Sequence, residues 1–185
     1  MRLRAAAPAD AAALCAVYAP YVTESFVSFE TQAPDAGEMR RRIESGGDLY
    51  PWLVAEDGGE LLGYAYAAAF RARSAYRFAV ETTVYCARGR GGRGIGTALY
   101  ERLLLVLRDQ GFTEAIGAIS LPNPASVRLH EKLGFRHVGT YRRVGYKLGA
   151  WHDVGLWQNP LSIADEPPAE PRALPLLGWP AAYLE

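Results

Sequence analysis

Residues 81–99, ETTVYCARGRGGRGIGTAL, have the composition and spacing to hold an anion. Thr82, Thr83, Val84 and Tyr85 are β-branched or aromatic and read as a strand. Gly89, Gly91, Gly92, Gly94 and Gly96 then alternate with Arg88, Arg90 and Arg93. Ile95, Leu99, Leu103 and Val106 follow at helical spacing, so the loop feeds a helix N-terminus. Glycines let backbone N–H groups turn toward one point, the helix dipole favours negative charge there, and arginines add donors. A phosphate or pyrophosphate suits such a loop. A P-loop would need a Gly-Lys-Ser/Thr ending, and no lysine lies in this stretch. The dinucleotide pattern G-x-G-x-x-G is matched literally by Gly89, Gly91 and Gly94. It also wants an acidic residue at the end of the next strand, whereas Asp109 falls at a helix end and that strand closes in Ser120-Leu121-Pro122. A plain turn would not need so many glycines and arginines feeding a helix.

The elements that must position this loop are read from periodicity and punctuation. Residues 1–6 form a first strand, and Pro8 and Asp10 open a helix to about Thr23 with Leu14, Val17, Tyr18 and Tyr21 on one face. Residues 25–30 are extended and aromatic. Pro34 and Asp35 start a second helix, with Met39 and Ile43 inward, Arg40, Arg41 and Arg42 solvated, and Gly46-Gly47 as its stop. Residues 52–56 and 60–69 are strands joined by Asp57-Gly58-Gly59, a strong hairpin turn. A basic connection, FRARSAYR, leads to a strand over 78–86. A helix over 95–110 is capped by Gly111, a strand covers 114–120, and a helix runs from about Ala125 to Leu133. Residues 135–146 and 151–158 form a last hairpin. The order predicts an α+β fold with a central mixed, largely antiparallel sheet.

The chain has 185 residues, which favours one domain, over 1–162, followed by a Pro-rich tail over 163–185 that packs on the surface or is mobile. Half the residues are hydrophobic and the formal net charge is zero, which argues against a dedicated nucleic-acid binder. The string RGRGGRG resembles an RNA-binding RGG segment, but it is pinned between a strand and an apolar helix. Cys15 and Cys86 make no disulfide framework, and with three histidines no metal cluster is expected. No signal peptide or membrane span is read, so the cytoplasm is the expected compartment.

The element order, with a glycine-rich loop after the fourth strand, resembles the GNAT acetyltransferase superfamily over about residues 1–160. VETTVY, LPNPASVRLHEKLGFRHVG and GYKLGAWHDVGLWQ, in that order, resemble the phosphinothricin N-acetyltransferases and their methionine sulfoximine-acetylating relatives. FRARSAY is similar to that group's substrate loop. The resemblance implies a GNAT-like three-layer fold, acetyl-CoA as cofactor, a small-molecule amine as substrate and a homodimer. One departure is visible. The superfamily pattern Gln/Arg-x-x-Gly-x-Gly/Ala, set on Gly94 and Gly96, places Gly91 where Arg or Gln belongs, and either Arg90 or Arg93 can replace that contact.

The resemblance also implies roles. Gly91, Gly92, Arg93, Gly94, Ile95, Gly96 and Thr97, with Arg90, hold the pyrophosphate. Val84, Tyr85 and Cys86 form the edge for the pantetheine arm, and a free N–H near Thr83 or Val84 polarises the thioester carbonyl. Asn123 bonds the cofactor arm or serves the turn, and Ser126 has similar standing, with helix capping as its alternative. Glu81 is the candidate base for the amine proton. His130, where many relatives in the superfamily carry a tyrosine, acts as acid or satisfies a buried hydrogen bond. Arg71 and Arg73 bind acidic groups of the substrate, with Thr83 beside them, or are ordinary surface arginines. Phe29 lies beside the substrate, and Glu30 attracts its ammonium group. His152 and Asp153 read as a structural pair, and His137 as structural. The reading is an acetyl-CoA-dependent N-acetyltransferase for phosphinothricin, methionine sulfoximine or methionine sulfone. The alternatives are another amine, such as a protein N-terminus or polyamine, and a non-catalytic acyl-CoA-binding module.

Overall fold

The computed structural model of the chain describes residues 1–90, 92–163 and 166–184. Gly91, expected in the phosphate cradle, lies outside the described residues. Strand β1 (Arg2–Ala5) leads to helices α1 (Ala11–Thr23) and α2 (Ala36–Ser45), then to a meander of β2 (Trp52–Asp57), β3 (Glu60–Ala69) and β4 (Ala79–Cys86). Helix α3 (Ile95–Gln110), strand β5 (Glu114–Leu121), helix α4 (Pro124–Lys132) and the hairpin β6 (Arg136–Lys147) and β7 (Ala150–Pro160) complete the sheet. The strand order is β1-β2-β3-β4-β5-β7-β6. Among the described residues, only β4 and β5 pair in parallel, which bears out the expected mixed, largely antiparallel α+β sheet.

Two apolar layers hold helices on opposite faces. Leu99, Leu103 and Leu107 of α3 pack with Leu53, Ala65 and Val80 of the sheet. Leu14, Val17 and Tyr18 of α1 and Met39 and Ile43 of α2 pack with Trp52, Val54 and Tyr64 on the other face. Strand periodicity assigns the functional residues to these faces. Tyr66 is opposite Thr83, Tyr64 opposite Tyr85 and Ala68 opposite Glu81. Glu81, Thr83 and Tyr85 therefore share the α1/α2 face, while Val80, Thr82 and Val84 point toward α3. Helix α2 begins as its sequence signals, because the Asp35 carboxylate accepts from the Glu38 N–H at 2.7 Å.

Two expectations are corrected. Arg42 is not a solvated companion of Arg40 and Arg41, since it donates to Glu30 at 2.7 and 3.1 Å and to Glu38 at 3.1 Å. His152 and Asp153 are not a pair. His152 stacks on Phe26 at 4.2 Å, and Asp153 accepts from the Arg143 N–H at 2.8 Å. The C-terminal residues take the first of the two alternatives expected of them and pack on the surface. A short 3-10 helix at Leu174–Leu177 and helix α5 (Ala181–Leu184) bury Leu174 and Tyr183 against Val106 of α3. Among the described residues, no helix is long and apolar enough to cross a membrane and no metal-holding cluster occurs.

Candidate active site

The sheet divides at one point. β4 and β5 pair only at Ala79↔Glu114, Val80↔Ala115 and Glu81↔Ile116. Beyond that point β4 stays with β3 as far as Gly63↔Cys86, and β5 stays with β7 as far as Leu121↔Asp153. At the branch point the Thr82 hydroxyl donates to the Ile116 carbonyl at 3.3 Å. In a strand flanked on both sides, alternate residues serve each neighbour. Past residue 82, therefore, every second β4 residue directs its N–H and C=O into the gap instead of to β5.

The gap opens into a cleft of about 520 Å³ between the end of β4, the glycine loop, the start of α3 and α4. Val84, Tyr85, Arg90, Gly92, Gly94, Ile95, Gly96, Thr97, Asn123 and Ser126 line it, so nearly all the residues expected to hold a cofactor come together. Arg93 is exposed and is not among the lining residues, which makes Arg90 the loop arginine that faces the cleft. Arg90 now pairs with Glu60, and Arg88 pairs with Glu24 and the Pro20 carbonyl. Helix α3 starts at Gly94, whose φ of +77° suits glycine, and no side chain caps the helix. Apart from the Gly96 N–H, which bonds the Cys86 sulfur, its first-turn donors are thus left for an anion. Sequence reasoning missed Tyr21, Val27, Leu129 and Lys132, which also line the cleft. The Tyr21 hydroxyl reaches across from α1 to donate to the Cys86 carbonyl at 2.6 Å, a contact with no local sequence signal.

The inner end of the gap holds His130, buried at 3% exposure. Its Nδ1 faces the Ser126 carbonyl at 2.8 Å, and a carbonyl only accepts, so Nδ1 carries the proton. Nε2 is then the acceptor for the Tyr100 hydroxyl at 3.2 Å. Burial pushes the imidazole pKa down, against a smaller upward pull from Ser126. A Cβ on Gly117 would lie 2.6 Å from Nε2, so the ring is wedged in place. This arrangement fits the buried hydrogen-bonding alternative, since burial favours the neutral ring and Nε2 is taken up by the Tyr100 hydroxyl. Asn123 likewise serves the turn, accepting from the Ser126 N–H at 3.1 Å as the cap of α4.

The residues expected to meet the acceptor lie on or near the α1/α2 face. Glu81 is half-buried there, and desolvation raises its carboxyl pKa above 4.5, with the Arg71 charge pulling the other way. The Arg71 charge acts on Glu81 without an ion pair between them among the described residues, and both Arg71 and Arg73, the latter at the head of a short turn, Ser74–Tyr76, are exposed. Glu30 does not stand free to attract an ammonium group, since Arg42 holds both oxygens and Tyr18 donates to one at 3.0 Å. Phe29 packs on Gly145, where any Cβ would collide with its ring. Lys147 donates to the Ser28 carbonyl at 2.6 Å and Ser120 to the Val27 carbonyl at 3.2 Å. These contacts pin the loop after α1 over the site. His137 bonds Thr140 at 2.9 Å, which fits the structural reading.

The chain matches the model of the acetyltransferase (GNAT) domain over residues 3–156. It belongs to the GNAT acetyltransferase family. A phosphinothricin N-acetyltransferase from Streptomyces viridochromogenes is 44% identical over 172 residues, covering 93% of this chain and 92% of the relative. An L-methionine sulfoximine/L-methionine sulfone acetyltransferase from Salmonella typhimurium is 32% identical over 170 residues, covering 91% and 99%. The crystal structure of a GNAT phosphinothricin acetyltransferase from Sinorhizobium meliloti in complex with AcCoA superposes with a TM-score of 0.85 at 37% identity, covering 91% of each chain. The protein is therefore an acetyltransferase that uses acetyl-CoA. The uncapped α3 start, Arg90 and the open β4 edge fit that cofactor's pyrophosphate and amide-bearing arm.

If the cradle is at α3, Gly94→Asp lowers acetyl-CoA affinity below detection by calorimetry in a folded protein. The substitution forces a side chain into a left-handed position and adds a negative charge where an anion belongs. Unchanged affinity contradicts the assignment.

Proposed function

We propose that the chain N-acetylates the α-amine of a small amino-acid analogue, with phosphinothricin, methionine sulfoximine and methionine sulfone as its substrates. The observation that carries this reading is the half-buried Glu81, within the field of Arg71, at the branch of the β4/β5 pair. Names of relatives covering nine-tenths of the chain support the substrate class.

Acetyl-CoA supplies the acetyl group as a thioester. The open amides at the start of α3, the glycine loop and Arg90 hold the pyrophosphate. The gap-facing backbone of β4 receives the amide-bearing arm, and an N–H at Thr83 or Val84 is the donor for a developing oxyanion. The amine arrives mostly as ammonium and cannot attack until it loses a proton. Glu81 takes that proton, directly or through a water, and partial burial makes it a stronger base than an exposed carboxylate. Arg71 binds an acidic group of the substrate, with Arg73 contributing from the same loop, and Phe29 and Thr83 line the acceptor side. His130 braces α4 against β5 and Tyr100.

The reading includes a homodimer in the cytoplasm. Val138, Tyr141, Val144, Tyr146, Leu148 and Trp151 are exposed along the β6–β7 ribbon, an apolar surface suited to a second copy. Cys15 and Cys86 are free thiols, which suits a reducing compartment.

A panel of amines assayed by thiol release with acetyl-CoA tests the function. Phosphinothricin, methionine sulfoximine and methionine sulfone are expected to turn over, and peptides and polyamines are not. A preference for peptide N-termini contradicts the proposal, and no thiol release with any amine points to a binding module. On the best acceptor, Arg71→Ala is expected to lower kcat/KM by about 1.5–3 kcal/mol through loss of a charge-assisted bond. Arg73→Ala, whose charge does not register on Glu81, has the smaller effect, and both spare acetyl-CoA affinity. Wild-type kinetics in both variants would make these arginines surface residues.

A further inference from the structure

The C-terminal residues lie beyond the matched domain, which ends at residue 156. They nevertheless reach the loop that carries Arg71. Glu170 accepts from Arg77 Nε at 2.8 and 2.9 Å and from Arg77 Nη2 at 2.7 Å. Arg77 sits at the end of the short turn Ser74–Tyr76, donates to the Ser74 carbonyl at 3.1 Å and lies over the Phe78 ring at 4.3 Å. Tyr76 meets Phe70 edge-on at 5.7 Å, and the Arg71 guanidinium lies over that same Phe70 ring at 5.0 Å. A continuous run of contacts thus joins Glu170 to Arg71.

The other end of the segment is fixed to the core. Buried Gln110 donates to the Arg172 carbonyl at 2.9 Å and the Leu49 carbonyl at 2.8 Å, and the Arg172 N–H donates to the Gln110 carbonyl at 2.7 Å. The Leu174 N–H donates to the Asp48 carbonyl at 2.6 Å, and the Tyr183 hydroxyl donates to Asp109 at 2.9 Å. Glu170 therefore projects from a segment seated on α3 by main-chain bonds two residues away. A surface ion pair contributes little to overall stability. Here it connects two segments 93 residues apart, one of them fixed and the other an exposed connection between β3 and β4.

We propose that residues 166–184 form a strap that positions the acceptor loop, with Glu170 and Arg77 as positioning residues that set where Arg71 stands relative to Glu81. The proposal rests on the reading of Arg71 as an acceptor contact. A group displaced by about 1 Å can cost much of its contribution to a site, so a strap acting far from the chemistry is felt in acceptor binding.

The test uses the full chain and the variants Glu170→Arg, Arg77→Glu and the two together. Each single charge reversal is expected to raise the KM for phosphinothricin roughly three- to tenfold. Acetyl-CoA affinity by calorimetry stays unchanged, and amide hydrogen exchange speeds up in residues 70–78. The double variant restores the pair with its signs exchanged and recovers both the KM and the protection. Wild-type KM and wild-type exchange in the folded single variants overturn the proposal. So does an equal loss of acetyl-CoA affinity with a lowered Tm, which would make the segment a general support. Should the wild-type protein acetylate no amino-acid analogue, the substrate reading fails by itself. The exchange of residues 70–78 then still decides the strap, upholding it if it rises in the singles and is restored in the double.

Discussion

Strands β4 and β5 stop bonding to each other after Glu81↔Ile116, and the rest of the site depends on that divergence. Buried backbone donors and acceptors are costly to leave unpaired, so a sheet opens only where something else satisfies them. Each half here keeps its own outer partner. β3 holds β4 to its end, and β7 holds β5 through Leu121. The helices fill the space this leaves, with α4 bringing His130 against Gly117 and α3 bringing its N-terminus to the mouth of the gap. The same strand, by simple alternation, turns Glu81 and Thr83 to the α1/α2 face and Thr82 and Val84 to the α3 face. One eight-residue element thereby places a carboxylate on one face and an open backbone edge in the gap, as the proposed mechanism requires.

Electrostatics at the cofactor end follow from this geometry. The loop arginines are not isolated charges, since Arg90 pairs with Glu60 and Arg88 with Glu24. Both pairs are largely exposed, so exchanging a carboxylate for a phosphate costs little. The acceptor end is drier. There the Glu30 charge is matched by Arg42, which leaves Glu81 as a carboxylate raised by desolvation with Arg71 as its opposing charge.

Much of this was legible in the sequence because local rules and tertiary demands coincide. The bounds of α3 follow from apolar spacing between a glycine loop and Gly111, and the cradle residues follow from the glycine-arginine pattern. Tyr21, the Glu30–Arg42 pair and the packing of the C-terminal residues were not legible. Each depends on a partner distant in sequence, and none alters local periodicity. His130 shows the limit within a motif. Its position was readable from the turn before α4, but its protonation state came only from the carbonyl of Ser126 and its burial.

The central claim is that Glu81, held at the branch of the sheet, removes the proton that the amine must lose. The pH dependence of kcat/KM for Glu81→Gln against the wild type tests it most directly. A base with a raised pKa is ionised only above that value, so the wild-type rate falls as pH drops through a point above 4.5. The variant is expected to lack that limb and to be slower by about 10²–10⁴ at neutral pH, with partial recovery at high pH where free amine is present. Acetyl-CoA affinity stays the same. A variant with near-wild-type rates at pH 7, or a large loss without recovery as pH rises, contradicts the account.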